Sequence, residues 1–245
     1  MKIKEIYDFL DVLSPFSLQE AWDNSGLLLG NMEDEFSEVV ISLDIDIEFL
    51  EKVSNNSLLI THHPLIFSGL KRINFDSYST KILQILIKKD IKLISMHTNI
   101  DKTHLNRFVM EKVLGFDVIS EDDFILSGKF HPMPFDDFYD LVKEKLELEF
   151  KKVVKCGEMV GSFSLTTGSG MSLLPYVKTD VFLTGDIKYH DAMEAKMRNI
   201  SLIEIGHFES EVYFNTVVYT LLEKYLKKNK IMAIMGQNQN PFEYK

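Results

Sequence analysis

The stretch LLITHHP, residues 58–64, is a short apolar run of the kind that forms a buried strand, and it ends in two histidines. Two other stretches are built in the same way, namely LISMHTNID at 93–101 and LIEIGHFESE at 202–211. Strands that stop in polar side chains deliver those side chains to one edge of a sheet. We therefore expect the three strand ends to converge on one metal site, with His62, His63, His97 and His207 as candidate ligands.

Strands and helices alternate around the first two of these stretches. Residues 39–43 predict a strand that ends at Asp44, residues 82–87 a buried helix, and residues 91–95 the next strand. This alternation predicts an α/β fold with parallel strand pairs, in which functional groups lie beyond the carboxyl ends of the strands.

The second half of the chain predicts another α/β lobe. Residues 121–135, with two prolines, are interpreted as a loop, and the strand before His207 is followed by a long helix over 212–228. We place the N-terminal lobe at 1–124, with His62, His63, His97 and Asp101, and the second lobe at 125–245, with His207 and Glu211. The C-terminal helix belongs either to the second lobe or, packed back, to the first.

Charge and cysteine content exclude several classes of protein. The net charge is −10 and only three residues are arginine, which disfavours a nucleic-acid partner. Cys156 is the only cysteine, so the chain forms no internal disulfide and no thiolate-rich zinc centre. Residues 1–10 contain acids and do not resemble a signal peptide, and no apolar run approaches the roughly 20 residues that span a bilayer. We expect a cytoplasmic protein without a membrane partner.

The candidate ligands favour two ions over one. Imidazole nitrogen and carboxylate oxygen suit divalent transition metals. Neighbouring side chains on an extended backbone diverge, so His62 and His63 reach different ions more easily than the same one. A single catalytic zinc needs about three protein ligands, whereas this chain offers six: His62, His63, His97, Asp101, His207 and Glu211. A water between two such ions is acidic enough to act as hydroxide.

Some of these residues have a second interpretation. Asp44 and Asp101 precede helices, where aspartate is commonly a cap. Asp186 and His190 are four apart, which fits either a helix cap with a surface histidine or a pair that supports the site. The segment TTGSG, residues 166–170, is either a plain turn or a loop whose backbone amides bind an anion.

Five motifs together resemble a known family. They are WDNSGL at 22–27, THHP at 61–64, HTNID at 97–101, TGD at 184–186 and GHFESE at 206–211. Their order and combination resemble the GTP cyclohydrolase 1 type 2 homolog family, also called NIF-three-like proteins, in its short form. None of the motifs is specific alone.

The resemblance implies two α/β lobes with a dinuclear metal site between them, assembled into a ring-shaped homohexamer. It implies that two divalent ions, drawn from Zn, Mn, Fe and Ni, are held by ligands of which Glu211 is shared, and that His97 lies beside the site. The implied ligands are His62, His63, Asp101, His207 and Glu211.

The candidate ligands and the family resemblance together predict a class of reaction. We expect a metal-dependent hydrolase that acts on a nucleotide-like or phosphate-ester substrate through a metal-bridging hydroxide, with His97 and His190 as proton carriers. The alternative is a non-enzymatic hexameric scaffold or metal-handling protein. Cys156 alone cannot build the cysteine and histidine zinc site of the well-understood GTP cyclohydrolase, so that chemistry is not supported.

Overall fold

The computed structural model describes residues 1–244, which divide into two compact units. The first unit comprises Met1–Thr103 and Phe214–Gln239, and the second comprises His104–Tyr213 with the residues from Asn240 onward. The sequence placed the lobe boundary between 124 and 125, inside this second unit. The difference arises because Phe116 packs its ring 5.0 Å from Phe163 in the core of the second unit.

The described residues form eleven strands. They are β1 (Gly26–Leu29), β2 (Glu38–Ser42), β3 (Leu58–Thr61), β4 (Lys92–Ser95), β5 (Ser120–Asp122), β6 (Ile125–Pro134), β7 (Val153–Val154), β8 (Met159–Leu165), β9 (Val181–Thr184), β10 (Ser201–Glu204) and β11 (Met232–Met235).

Residues 1–244 also contain nine α-helical segments, the first of which precedes β1. They are α1 (Ile3–Leu13), α2 (Ile47–Lys52), α3 (Tyr78–Lys88), α4 (Thr98–Ile100), α5 (Asn106–Phe108), α6 (Phe135–Lys145), α7 (Tyr189–Met197), α8 (His207–Glu211) and α9 (Phe214–Lys228). Short 3₁₀ turns occur at Phe16–Leu18 and Met171–Tyr176, and π-helical turns at Asp101–Leu105 and Val109–Leu114. None of the described helices is both long and apolar enough to cross a membrane.

The sheet of the first unit confirms the predicted parallel pairs. Its strand order is β1-β4-β3-β2-β11, and only the β1–β4 pair is antiparallel. The register pairs Ser42 with Thr61 and Thr61 with Ser95, so the carboxyl ends of β2, β3 and β4 are level. All residues of these three strands are buried, which explains why they appear in the sequence as continuous apolar runs.

Helices cover this sheet through apolar faces. Leu83 and Leu86 of α3 belong to the same core cluster as Val40, Leu59 and Leu93 from the central strands. The helix that follows β2 begins at Asp46, whose side chain accepts a hydrogen bond from the backbone of Phe49 at 2.7 Å. Asp46 is thus the N-cap of α2, a position at which aspartate is favoured.

The second unit contains a mixed six-stranded sheet. Its order is β5-β6-β8-β9-β10-β7, with parallel pairing of β8 with β9 and of β9 with β10, and antiparallel pairing elsewhere. Thr184 pairs with Glu204, so the carboxyl ends of β9 and β10 are level. The second unit therefore presents a strand edge built like that of the first.

The loop predicted over 121–135 is wrong for most of its length, because β5 and β6 occupy it. Pairing of β6 with β8 runs from Leu126 to Lys129, shifts register, and resumes at Met133. Pro132 falls in the irregular stretch, where its missing N–H group breaks no ladder hydrogen bond. The prolines therefore mark an irregular strand and do not exclude one.

Four phenylalanine rings fill the core of the second unit. Phe163 is fully buried, and its ring centroid lies 5.0 Å from that of Phe116, 5.4 Å from that of Phe138 and 6.1 Å from that of Phe130. Phe130 and Phe138 are themselves stacked at 4.5 Å. Each of the four ring centroids lies within 6.2 Å of the other three, so Phe163 is an integral part of this cluster.

We expect Phe163→Ala to lower the free energy of unfolding by about 3–5 kcal/mol, because it removes a buried ring and leaves a cavity among its neighbours. Tyr189→Ala is the control, since Tyr189 is an exposed aromatic residue of the same unit, and its loss should change stability by about 0.5 kcal/mol or less. Denaturant titration measures both. Equal effects of the two substitutions would contradict the assigned core.

Candidate metal centre

The level ends of β3 and β4 bring three histidines together in the first unit. His62 and His63 follow β3, and His97 follows β4. Their ring centroids lie 4.9 Å (His62–His63), 5.1 Å (His62–His97) and 5.6 Å (His63–His97) apart. One ring nitrogen from each lies within 4.8 Å of the others, so this group can hold a metal ion. The predicted convergence of these strand ends is confirmed within the first unit.

Asp101 adds a carboxylate to this group. Its Oδ1 lies 3.3 Å from Nε2 of the fully buried His62. The residue at the start of the helical segment is His97, and Asp101 already has helical backbone angles, with φ −57° and ψ −49°. Asp101 is therefore not an N-cap, and its side chain is directed at an imidazole.

Every strand-end histidine has an oxygen atom close to Nδ1. Such an acceptor favours the tautomer with the proton on Nδ1 and leaves the Nε2 lone pair for a ligand, as is usual for metal-binding histidines. The four pairs are His62 with the Met96 carbonyl at 2.9 Å, His63 with Asp44 at 2.8 Å, His97 with Asp23 at 2.8 Å and His207 with Asp186 at 2.7 Å.

Asp23 explains the WDNSG motif. Its carboxylate is fully buried and also accepts hydrogen bonds from the Thr98 backbone and the Ser25 hydroxyl, each at 3.1 Å. Burial by itself would raise the pKa of Asp23, but the hydrogen bond and charge of His97, with further help from Thr98, hold that pKa well below its usual range. Asp23 thus remains a carboxylate that fixes the His97 ring.

In the second unit, α8 places His207 and Glu211 on one face. Gly206, with φ +73°, turns the chain from β10 into this helix. Nε2 of His207 lies 3.1 Å from Oε2 of the buried Glu211. The hydrogen bond to Glu211, against the opposing effect of burial and with help from Asp186, raises the pKa of His207 to about 9. A metal ion at this position has to displace that proton.

Glu211 lies against the backbone of the segment Thr166–Gly170. Gly168 has φ +60°, and a Cβ atom there would lie 2.1 Å from Oε1 of Glu211. The amide of Gly168 donates to the Ser210 hydroxyl at 3.0 Å, and that of Gly170 donates to Thr184 at 2.8 Å. These amides are used within the protein, which favours a structural role for the segment over anion binding. Gly168, which has no side chain, makes room for the Glu211 carboxylate.

The structure does not pair Asp186 with His190. Asp186 has a left-handed backbone, with φ +56°, and contacts His207. His190 is exposed on α7 with its ring 5.3 Å from that of Tyr189, and no described hydrogen bond or ion pair joins it to His207 or Glu211. The roles of Asp44 and Asp23 were not predicted from the sequence. Asp44 could have been found, since it follows its strand as closely as His63 follows β3.

The donor set consists of imidazole nitrogen and carboxylate oxygen in both units. This set fits Zn, Mn, Fe or Ni and lacks thiolate. The lone Cys156 lies elsewhere in the second unit, where its thiol contacts the Ile200 carbonyl, and burial raises its pKa. The residues present therefore fit divalent-metal binding of the non-cysteine kind.

Comparison with known proteins confirms the family expected from the motifs. A sequence model described as Duf34/NIF3 (NGG1p interacting factor 3) matches residues 1–241. The chain is 47% identical, over the whole of both proteins, to a GTP cyclohydrolase 1 type 2 homolog of Campylobacter jejuni. It is 41% identical to a GTP cyclohydrolase 1 type 2 of Helicobacter pylori, over 91% of this chain and 92% of the relative.

Solved structures share the fold of this chain. A hypothetical protein of Staphylococcus aureus superposes with a TM-score of 0.88 at 28% identity, covering 100% of this chain and 99% of the other. Reduced HcgD from Methanocaldococcus jannaschii superposes with a TM-score of 0.77 at 28% identity, covering 96% and 97%. On the family match and the identity to its relatives, the chain belongs to the Duf34/NIF3 family.

Proposed function

We propose that this protein binds two divalent metal ions and uses them to hydrolyse a nucleotide-like or phosphate-ester substrate. The proposed ligands are His62, His63, Asp101, His207 and Glu211, with Glu211 shared by both ions. The observation that carries the proposal is the oxygen acceptor at Nδ1 of His62, His63 and His207, which prepares Nε2 of each ring for a metal. Membership of the family supports the same ligand set.

Each side chain has a defined part in this proposal. Two divalent ions held by these residues would supply Lewis acidity and would lower the pKa of a bound water. Asp101 and Glu211 offset the charge of the ions, while Asp44 and Asp186 orient the rings of His63 and His207.

His97 is the proposed proton carrier. Asp23 holds its Nδ1, which leaves Nε2 to accept or donate the proton of a reacting group. Its ring lies beside those of His62 and His63, so a substrate at the metal is within its reach. His190 stays a predicted second carrier, and its exposed position on α7 adds no support.

We also propose the cytoplasmic, ring-shaped homohexamer that the family resemblance implies. Membership of the Duf34/NIF3 family supports this assembly. In this proposal the protein's partners are other copies of itself and a small-molecule substrate.

Metal analysis of the purified protein should find about two ions per chain. His207→Ala and Glu211→Gln should each lower that content, because each removes a donor atom from the proposed site. His131→Ala is the control, since His131 is exposed on β6 and belongs to none of the candidate groups among the described residues. Full occupancy in both site variants would refute the ligand assignment.

Gly168→Ala should weaken metal binding by at least about tenfold, because the added methyl group displaces the Glu211 carboxylate without removing any donor. Gly115→Ala is a matched control. Gly115 also has a positive φ, at +81°, but a Cβ there meets nothing within 4 Å. Titration against a chromophoric chelator measures both affinities. Equal affinities of the two variants would show that Glu211 does not depend on Gly168.

Protein reconstituted with Mn, Zn, Fe or Ni should hydrolyse at least one member of a panel of nucleotides, phosphodiesters and phosphomonoesters, and a chelator should abolish the activity. His97→Gln should reduce kcat by roughly 10²–10⁴ while the metal content stays unchanged, since the variant loses proton transfer only. Absence of turnover with every metal would favour the alternative of a non-enzymatic scaffold or metal-handling protein.

A further inference from the structure

A cavity of about 310 Å³ adjoins His63 within the first unit. Its walls come from the turn after β2, the segment after β3 and the first turn of α3, which contribute Asp44, Phe67 and Tyr78 among others. This volume lies at the lower end of the range of about 300–1,000 Å³ that is usual for ligand pockets. The cavity therefore has room for one ring system and not for a large cofactor.

The segment 62–77, which forms one wall, is an irregular connection between β3 and α3. Irregular loops longer than about 12–15 residues are uncommon in compact domains and usually have a function. Phe67 of this segment is 48% exposed, and its ring centroid lies 5.8 Å from that of Trp22, which is 58% exposed. The Asn24 side chain donates to the Ile66 carbonyl, so a specific contact holds the aromatic wall in place.

The polar groups of the cavity select against anions. No lysine or arginine lines it among the described residues, and its carboxylate is Asp44. A phosphate beside Asp44 would be repelled, whereas an N–H group would be accepted. The rings of Phe67 and Tyr78 favour a flat apolar partner. Together these features describe a planar heterocycle with at least one N–H donor.

The geometry points to a subsite, and we propose that this cavity binds the nitrogen-heterocyclic part of the substrate. The heterocycle packs against Phe67 and Tyr78 and donates an N–H group to Asp44, while the anionic part of the substrate lies on the His63 side. This inference rests on the proposed function, because it assigns the base-like moiety of a nucleotide-like substrate to a particular place.

Trp22 allows a direct test. It is the only tryptophan of the chain, and it touches Phe67 of the cavity wall. Metal-free protein is titrated with inosine and uridine, which carry a ring N–H, and with 1-methylinosine and 3-methyluridine, which lack it. We expect saturable quenching of the tryptophan emission by at least one of the two parent nucleosides, and binding at least about tenfold weaker after its methylation.

Two matched variants locate the binding. Leu70→Arg places a long charged side chain on the cavity wall and should weaken nucleoside binding at least tenfold. Ile73→Arg makes the same change in the same segment at an exposed position outside the cavity and should leave binding unchanged. Circular dichroism checks that both variants are folded.

The inference is overturned if neither parent nucleoside binds, if methylation has no effect, or if both arginine variants behave alike. Choline serves as a cationic, non-planar competitor, and its displacement of the nucleoside would likewise overturn the assignment of a planar ring.

Because the titration uses metal-free protein, it separates the two proposals. Nucleoside binding without metal-dependent hydrolysis would support the subsite and contradict the proposed hydrolase. Metal-dependent hydrolysis without nucleoside binding would contradict only the subsite.

Discussion

The hydrogen bond at Nδ1 of each strand-end histidine is the constraint on which the candidate centre depends. A ring that is held at Nδ1 can present only Nε2, and it presents it in one direction. The acceptors are fixed in their turn, because Met96 directly follows β4 and Asp44 lies two residues beyond the end of β2. The directions of the His62 and His63 rings are therefore set by the register of β2, β3 and β4 and not by the histidines alone.

Both units use the same local plan. In each, an aspartate two residues beyond the end of one parallel strand holds the histidine that follows the neighbouring strand. Asp44 after β2 holds His63 after β3, and Asp186 after β9 holds His207 after β10. Parallel strands make this possible because their carboxyl ends are level, as the pairing of Ser42 with Thr61 shows. An antiparallel pair would place the two side chains at opposite ends.

The sequence predicted the strands and their polar ends because short apolar runs that stop in histidine carry that information locally. The sequence did not predict which oxygen atom accepts a hydrogen bond from which histidine ring, because each acceptor lies on a different segment that the fold brings close. The spacing of four residues is compatible with a pair of Asp186 and His190. In the structure, however, Asp186 has a left-handed backbone and its side chain contacts His207. The loop predicted around Pro132 failed for a similar reason, because partner strand β8 decides that β6 forms.

Asp44 links the two proposals physically. Its Oδ1 lies 2.8 Å from Nδ1 of His63, and the same carboxylate lines the neighbouring cavity, where its side chain is about half exposed. If both proposals hold, a heterocycle that donates an N–H group to Asp44 would compete for the negative charge that strengthens His63 as a ligand. Metal affinity and heterocycle affinity then change together, and by thermodynamic reciprocity each alters the other by the same factor. A single carboxylate shared between the His63 ring and the substrate would thus couple recognition of the heterocycle to metal binding.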